Sequence, residues 1–161
     1  MILTKDEAKR KILDGVNRAC NLVKLTMGAE GKTILIENTL KNLNPHQTKD
    51  GVTVLRYVEG EDGYEELGIK LIKEACNRTA KLSGDGSSTT AILAQALINA
   101  LLESKESHVS LRKGVNEALK VTLERLDSLK RTVEDKDMTN IATISCNNDK
   151  ELGQLISDIF R

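Results

Sequence analysis

What this chain lacks restricts its fold most. It has three aromatic side chains, Tyr57, Tyr64 and Phe160, and no tryptophan. A core must therefore be filled by Leu, Ile, Val and Ala, which suits closely packed helices. The same scarcity argues against single-strand nucleic-acid binding, which leans on aromatic stacking platforms. With 161 residues the chain is one domain by size and long enough to bury a core. Acidic and basic residues balance at 24 each, so nothing favours DNA or an anionic membrane as partner. No stretch approaches the ~18–20 apolar residues of a membrane span. Met1 to Arg10 turns charged at once, with no apolar signal region. Cys20, Cys76 and Cys146 are odd in number and form no C-x-x-C pair, the pattern of thiols used as small apolar residues in a reducing cytosol. His46 and His108 have no Cys or His at ligand spacing, which disfavours zinc.

Hydrophobic spacing predicts the helices. Ala8, Ile12, Val16, Ala19, Val23 and Met27 recur every three or four residues, giving a helix over 4–27. Thr4 with Glu7 makes a capping box at its start, and Gly28 fits its C-terminal end. Thr33 to Glu37 reads as a strand, and Asp50-Gly51 as a turn, so 33–54 is expected to be a β-hairpin or stem-loop rather than helix. The helical period returns from Tyr64 to about Leu82. Residues 88–103 are so apolar that a helix there should be buried on most sides. Ser110 to Arg131 reads as an amphipathic helix, Met138 to Cys146 as a short apolar piece, and Asp149 to Phe160 as a last helix.

Three glycine-containing loops carry the candidate chemistry. Gly84-Asp85-Gly86-Ser87-Ser88-Thr89 lies just before the start of an apolar helix. Glycines there allow positive φ and close approach to a ligand. The first N–H groups of a helix lack internal partners and attract anions. The hydroxyls of Ser87, Ser88 and Thr89 add donors, and Asp85 is a hard oxygen ligand of the kind Mg²⁺ takes beside phosphates. A plain Ser or Thr helix cap remains the alternative. Lys49-Asp50-Gly51 reads either as a solvated turn or as a carboxylate aimed at a phosphate chain. Gly28-Ala29-Glu30-Gly31-Lys32-Thr33 imitates a P-loop but has two residues where four are needed. It also runs from helix to strand, the reverse of that motif.

Taken in order, these segments resemble the group I chaperonins, the GroEL-like family. Thr26-Met27-Gly28-Ala29-Glu30-Gly31 is similar to the family's T-L-G-P-K-G loop, and Thr48 to Val54 to its T-K-D-G-V-x-V segment. Gly84 to Thr89, followed by Ile92-Leu93-Ala94-Gln95, resembles G-D-G-T-T-T and V-L-A-Q. Leu111-Arg112-Lys113-Gly114 resembles L-K-R-G, and Thr143 to Asp149 resembles T-I-S-A-N-S-D. The resemblance covers nearly the whole chain. It implies a mainly α fold: a truncated, chaperonin equatorial-domain-like helical bundle with a short β-hairpin. Residues 1–131 would be the N-terminal half of the equatorial, ATP-binding domain, and 132–161 the start of the intermediate hinge domain.

The function implied is ATP-dependent assisted protein folding in the cytoplasm, with ATP, Mg²⁺ and K⁺ as cofactors. Thr26, Met27, Gly28 and Ala29 would cradle phosphates by backbone. Lys49 would lie at the phosphates and a potassium site. Asp50 would be catalytic, positioning the attacking water. Asp85 would hold Mg²⁺, and Gly86, Ser87, Ser88 and Thr89 would bind phosphate oxygens. The partners implied are ATP or ADP and other chaperonin subunits in a ring. Unfolded proteins and co-chaperonin would be reached only through domains outside this stretch. Glu30 departs from the family lysine and would repel phosphates unless it faces solvent. The returning segment with a second catalytic aspartate is not among these residues, so weak or no turnover is expected of the chain alone. The alternative is a non-enzymatic interaction fragment that joins or inhibits a full-length ring.

Overall fold

A computed structural model of the chain describes residues 4–28, 30–37 and 44–160. Among them the order is α1 (Lys5–Lys24), β1 (Ile34–Ile36), β2 (His46–Thr48), α2 (Gly51–Arg56), α3 (Gly63–Ser83), α4 (Ser87–Glu103), α5 (His108–Leu129), α6 (Asp135–Ser145) and α7 (Lys150–Ile159). The mainly α fold with a short hairpin is as expected from the sequence. The chain divides by packing into two compact units, one up to Lys105 and one from Glu106.

In the first unit α1 begins as predicted. The Glu7 amide donates to the Thr4 hydroxyl, and the Thr4 amide donates to the Glu7 carboxylate at 2.8 Å. Its end differs: the helix stops at Lys24, and Gly28, at φ +78°, lies four residues beyond. α1 and α3 cross so closely that a β-carbon on Gly15 would meet the Glu65 carbonyl oxygen at 2.0 Å, and one on Gly68 would meet that of Ile12 at 2.0 Å. Around this crossing Val16, Ala19, Cys20, Val23, Ile69, Ile72, Cys76 and Ala91 form the core, joined by Leu55 and Val58. Ion pairs from Lys11 to Asp62 and from Arg18 to Glu61 and Glu65 close one end. Asp62 also caps α3 by accepting the Tyr64 and Glu65 amides.

β1 and β2 pair antiparallel, Ile34 opposite Thr48 and Ile36 opposite His46. The hairpin ends there. Residues 51–54, expected to continue it, instead open the helix α2, because Asp50 caps it and Val54 and Leu55 turn into the core. Lys73 holds the far end of α2, its Nζ donating to the Val58 carbonyl at 2.7 Å.

α4 overturns a second expectation. Only Ala91 and Gln95 are buried, while Leu93 is 64% exposed. Its apolar composition reflects a face that nothing in these residues covers, not burial on most sides. In the second unit α6 and α7 pack on each other, with the Thr139 and Ser157 hydroxyls 2.9 Å apart. The segment 138–146 is thus the body of a helix that starts at Asp135. α5 carries no buried residue. No described helix is long and apolar enough to cross a membrane.

A candidate phosphate site where three loops meet

The three glycine loops converge at Gly51. A β-carbon placed there would lie 2.5 Å from the Ser88 hydroxyl oxygen, 3.0 Å from the Val23 side chain and 3.1 Å from the Thr26 hydroxyl oxygen. Segments far apart in sequence are thereby in direct contact: the end of α1, the start of α2 and the start of α4.

Asp50 occupies the N-cap of α2. Its Oδ2 accepts the Thr53 amide at 2.8 Å and the Thr53 hydroxyl at 2.6 Å, while Oδ1 lies 3.4 Å from the Val52 amide. Partial burial pushes this carboxyl up. The Thr53 and Val52 hydrogen bonds and the charge of Arg56 outweigh that and hold it below its ordinary value. It is therefore ionised at neutral pH, with Oδ1 the less engaged oxygen. Lys49, next to it, is exposed.

The turn between α3 and α4 uses two left-handed glycines, Gly84 at φ +74° and Gly86 at φ +85°. Gly84 ends α3, its amide donating to the Ala80 carbonyl at 3.0 Å. Gly86 is the N-cap of α4 and offers no side-chain hydrogen bond. The plain Ser or Thr cap is thus ruled out for α4. Its first turn carries no acidic residue, so the open amides and the positive end of the helix dipole face no neutralising carboxylate in their own turn. Ser87 and Ser88 are half-buried and Thr89 is exposed. Asp85 is exposed, and its Oδ1 accepts the Gly86 amide at 2.6 Å.

Behind this turn two buried thiols touch α4. Cys20 Sγ lies 3.2 Å from the Ala91 carbonyl oxygen and Cys76 Sγ 3.3 Å from that of Ser87. Burial, with a smaller effect from Cys76, pushes the Cys20 thiol up to about 11, so it serves as packing rather than as a nucleophile.

In the loop after α1, the Thr26 and Met27 amides already donate to the Val23 and Lys24 carbonyls at 3.1 and 3.2 Å. The Thr26 hydroxyl also donates to the Val23 carbonyl, at 2.8 Å, so it faces Gly51 as an acceptor. Glu30 is exposed, as the phosphate reading requires. Ala29 lies outside the described residues. Sequence spacing did not single out Thr53, Thr79 or Thr90, and only the structure links them to the site.

No cluster of three or more His, Cys, Asp or Glu able to hold a metal occurs among the described residues. Asp85 alone would need phosphate oxygens and water to complete a shell. That is how Mg²⁺ binds beside phosphates, so the donor set fits a cation carried in with a nucleotide.

The model of the TCP-1/cpn60 chaperonin family matches residues 20–160. This chain belongs to the TCP-1/cpn60 chaperonin family. Among solved chaperonins it is similar to gp146 from bacteriophage EL 2 (Pseudomonas aeruginosa), crystallised in the presence of ATP-BeFx. The TM-score is 0.82 at 28% identity, over 94% of this chain and 27% of that one. A second crystal form of gp146 gives 0.80 at 29%, with the same shares covered. A group III chaperonin in the open state has the same fold, with a TM-score of 0.75 at 21% identity over 94% of this chain and 31% of that one. The chain thus spans between a quarter and a third of the length of these chaperonins.

Proposed function

We propose that this chaperonin segment binds ATP through the site at Gly51, as the ATP-binding part of a subunit for assisted protein folding of the group I type. The convergence of Thr26, Gly51 and Ser88 carries the reading. The uncapped start of α4 and the ATP analogue present in the gp146 crystals support it. Gly86, Ser87, Ser88 and Thr89 would take phosphate oxygens. Asp85 would hold Mg²⁺ with them, and Lys49 would lie at the phosphates and a K⁺ site. The metal's contribution, when bound, is to neutralise phosphate charge. Asp50, ionised and with Oδ1 lightly engaged, would orient the attacking water. In this reading 1–131 is equatorial, 132–161 begins the hinge domain, and the setting is cytoplasmic.

Phosphoryl transfer rests mostly on positioning and charge neutralisation, which this site offers. Robust turnover is proposed to need a second aspartate outside these residues, together with ring partners. The exposed apolar residues of α4 and α5 favour a second reading, a fragment that joins or inhibits a full-length ring. Co-purification with a complete subunit would support that one.

Calorimetric titration with Mg-ATP in potassium buffer tests the proposal. Saturable heat that disappears in Asp85→Ala supports it. Absence of heat from the parent chain rejects it for these residues alone.

A further inference from the structure

Two threonines outside the glycine loop tie α3 to the first turn of α4. The Thr79 and Thr90 hydroxyl oxygens are 2.9 Å apart. Thr90 Oγ1 also lies 3.0 Å from the Gly86 carbonyl oxygen, and Thr79 Oγ1 lies 3.2 Å from that of Ala75. The Gly86 carbonyl additionally accepts the Thr90 amide at 2.9 Å.

Each hydroxyl has one proton, so two protons serve three contacts. If both were donated to carbonyls, two hydroxyl oxygens would face each other with no proton between them. A proton in the Thr79–Thr90 contact leaves two arrangements. Thr79 donates to Thr90 and Thr90 to Gly86, or Thr90 donates to Thr79 and Thr79 to Ala75. The first ends on the turn.

The Gly86 carbonyl and the Ser87 N–H are opposite ends of one planar peptide group. A second hydrogen bond on the carbonyl polarises that group and makes the N–H a stronger donor. Ser87 opens α4, where the N–H has no partner within the helix. Gly86, at φ +85°, has no β-carbon to restrict the tilt of this peptide plane. An anchor on its carbonyl therefore sets where the Ser87 N–H points.

We propose that Thr79 and Thr90 are positioning residues: a hydroxyl relay that orients the Gly86–Ser87 peptide and strengthens the Ser87 N–H toward a phosphate oxygen of a nucleoside triphosphate. This rests on the reading of 84–89 as a phosphate site. Both threonines act through Gly86.

Valine keeps the shape of threonine without the hydroxyl, and serine keeps the hydroxyl. The test uses the full chain as parent, Thr90→Val, Thr90→Ser, Thr79→Val and the double valine variant. Each is followed by amide NMR without nucleotide and by calorimetric titration with Mg-ATP. Thr90→Val should move the Ser87 amide proton to higher field and weaken Mg-ATP binding about twofold, the share that polarisation adds to the bond from Ser87. Thr90→Ser should restore both. Thr79→Val should have a smaller effect that vanishes in the Thr90→Val background. A Ser87 resonance unmoved by Thr90→Val overturns the relay, whether or not nucleotide binds. A moved resonance with unchanged Mg-ATP affinity overturns the ligand role, whatever the melting temperature does. A parent that binds no Mg-ATP overturns the phosphate reading and this role with it, while the NMR shift still reports the relay.

Discussion

Gly51 faces Ser88 with no room for a methyl group between them: a β-carbon would stand 2.5 Å from the serine hydroxyl oxygen. Gly51 is the first residue of α2, so alanine would suit the helix, and only the contact forbids it. In Gly51→Ala the Ser88 hydroxyl must swing aside and Val23 must shift. We expect Mg-ATP affinity to fall at least about tenfold, with a stability loss of about 1–3 kcal/mol from overpacking. Titration and urea unfolding of Gly51→Ala check this, and Ser88→Ala in the same background should recover part of the stability but not the affinity.

The roles proposed for Asp50 and Asp85 can be separated by substitution. Asp85→Ala should abolish Mg²⁺-dependent nucleotide binding with little effect on folding, since Asp85 is exposed. Asp50→Ala should spare binding yet cost about 1 kcal/mol, because it removes the cap of α2. Asp50→Asn retains one capping oxygen and should lose less stability than Asp50→Ala, while hydrolysis in an assembled ring should still be affected. Equal Mg-ATP binding by Asp85→Ala and the parent would remove the metal role.

Stability should fall on acidification through the caps. The Lys11 hydrogen bond, then the Glu65 amide, hold the Asp62 carboxyl below its ordinary value, and the Thr53 bonds do so for Asp50 despite burial. A carboxyl with a depressed folded pKa contributes fully above its unfolded value, ~3.9, and loses that contribution as pH falls through the folded one. Urea midpoints should therefore be level from pH 7 to about 5 and drop below about 4. The gap between the parent and Asp62→Asn should close over the same range.

Thiol reactivity should report the core. Cys20 and Cys76 are buried, whereas Cys146 is half-buried. A thiol reagent should label Cys146 first, and the other two only as the first unit opens. Fast labelling of all three in native buffer would contradict the packing around Ala91.

The long helices were legible because their period is strong: the Thr4–Glu7 box and the apolar stripe of α1 are local signals. α2 was not. Val52, Thr53 and Val54 are β-branched and read as strand, and the helix is set by the Asp50 cap and by burial of Val54 and Leu55. For α4, apolar content was read as burial, but content cannot say what covers a face. The residue types on which the proposed phosphate role of Gly84–Thr89 rests were visible in the sequence. Its contact with Gly51 and Thr26 was not, because spacing along a chain carries no information about which distant loops meet. The Thr79–Thr90 contact was hidden for the same reason.

The meeting point at Gly51 also ties ligand to folding. Thr26, Gly51 and Ser88 come together only once α1, α2, α3 and α4 have docked, so an unfolded chain offers no such arrangement. A ligand that bridges them recognises the native state alone, and by mass action it shifts the folding equilibrium of the whole first unit. At one hundred times its dissociation constant it would add about 2.7 kcal/mol. The temperature at which this unit melts would then rise with the concentration of that ligand.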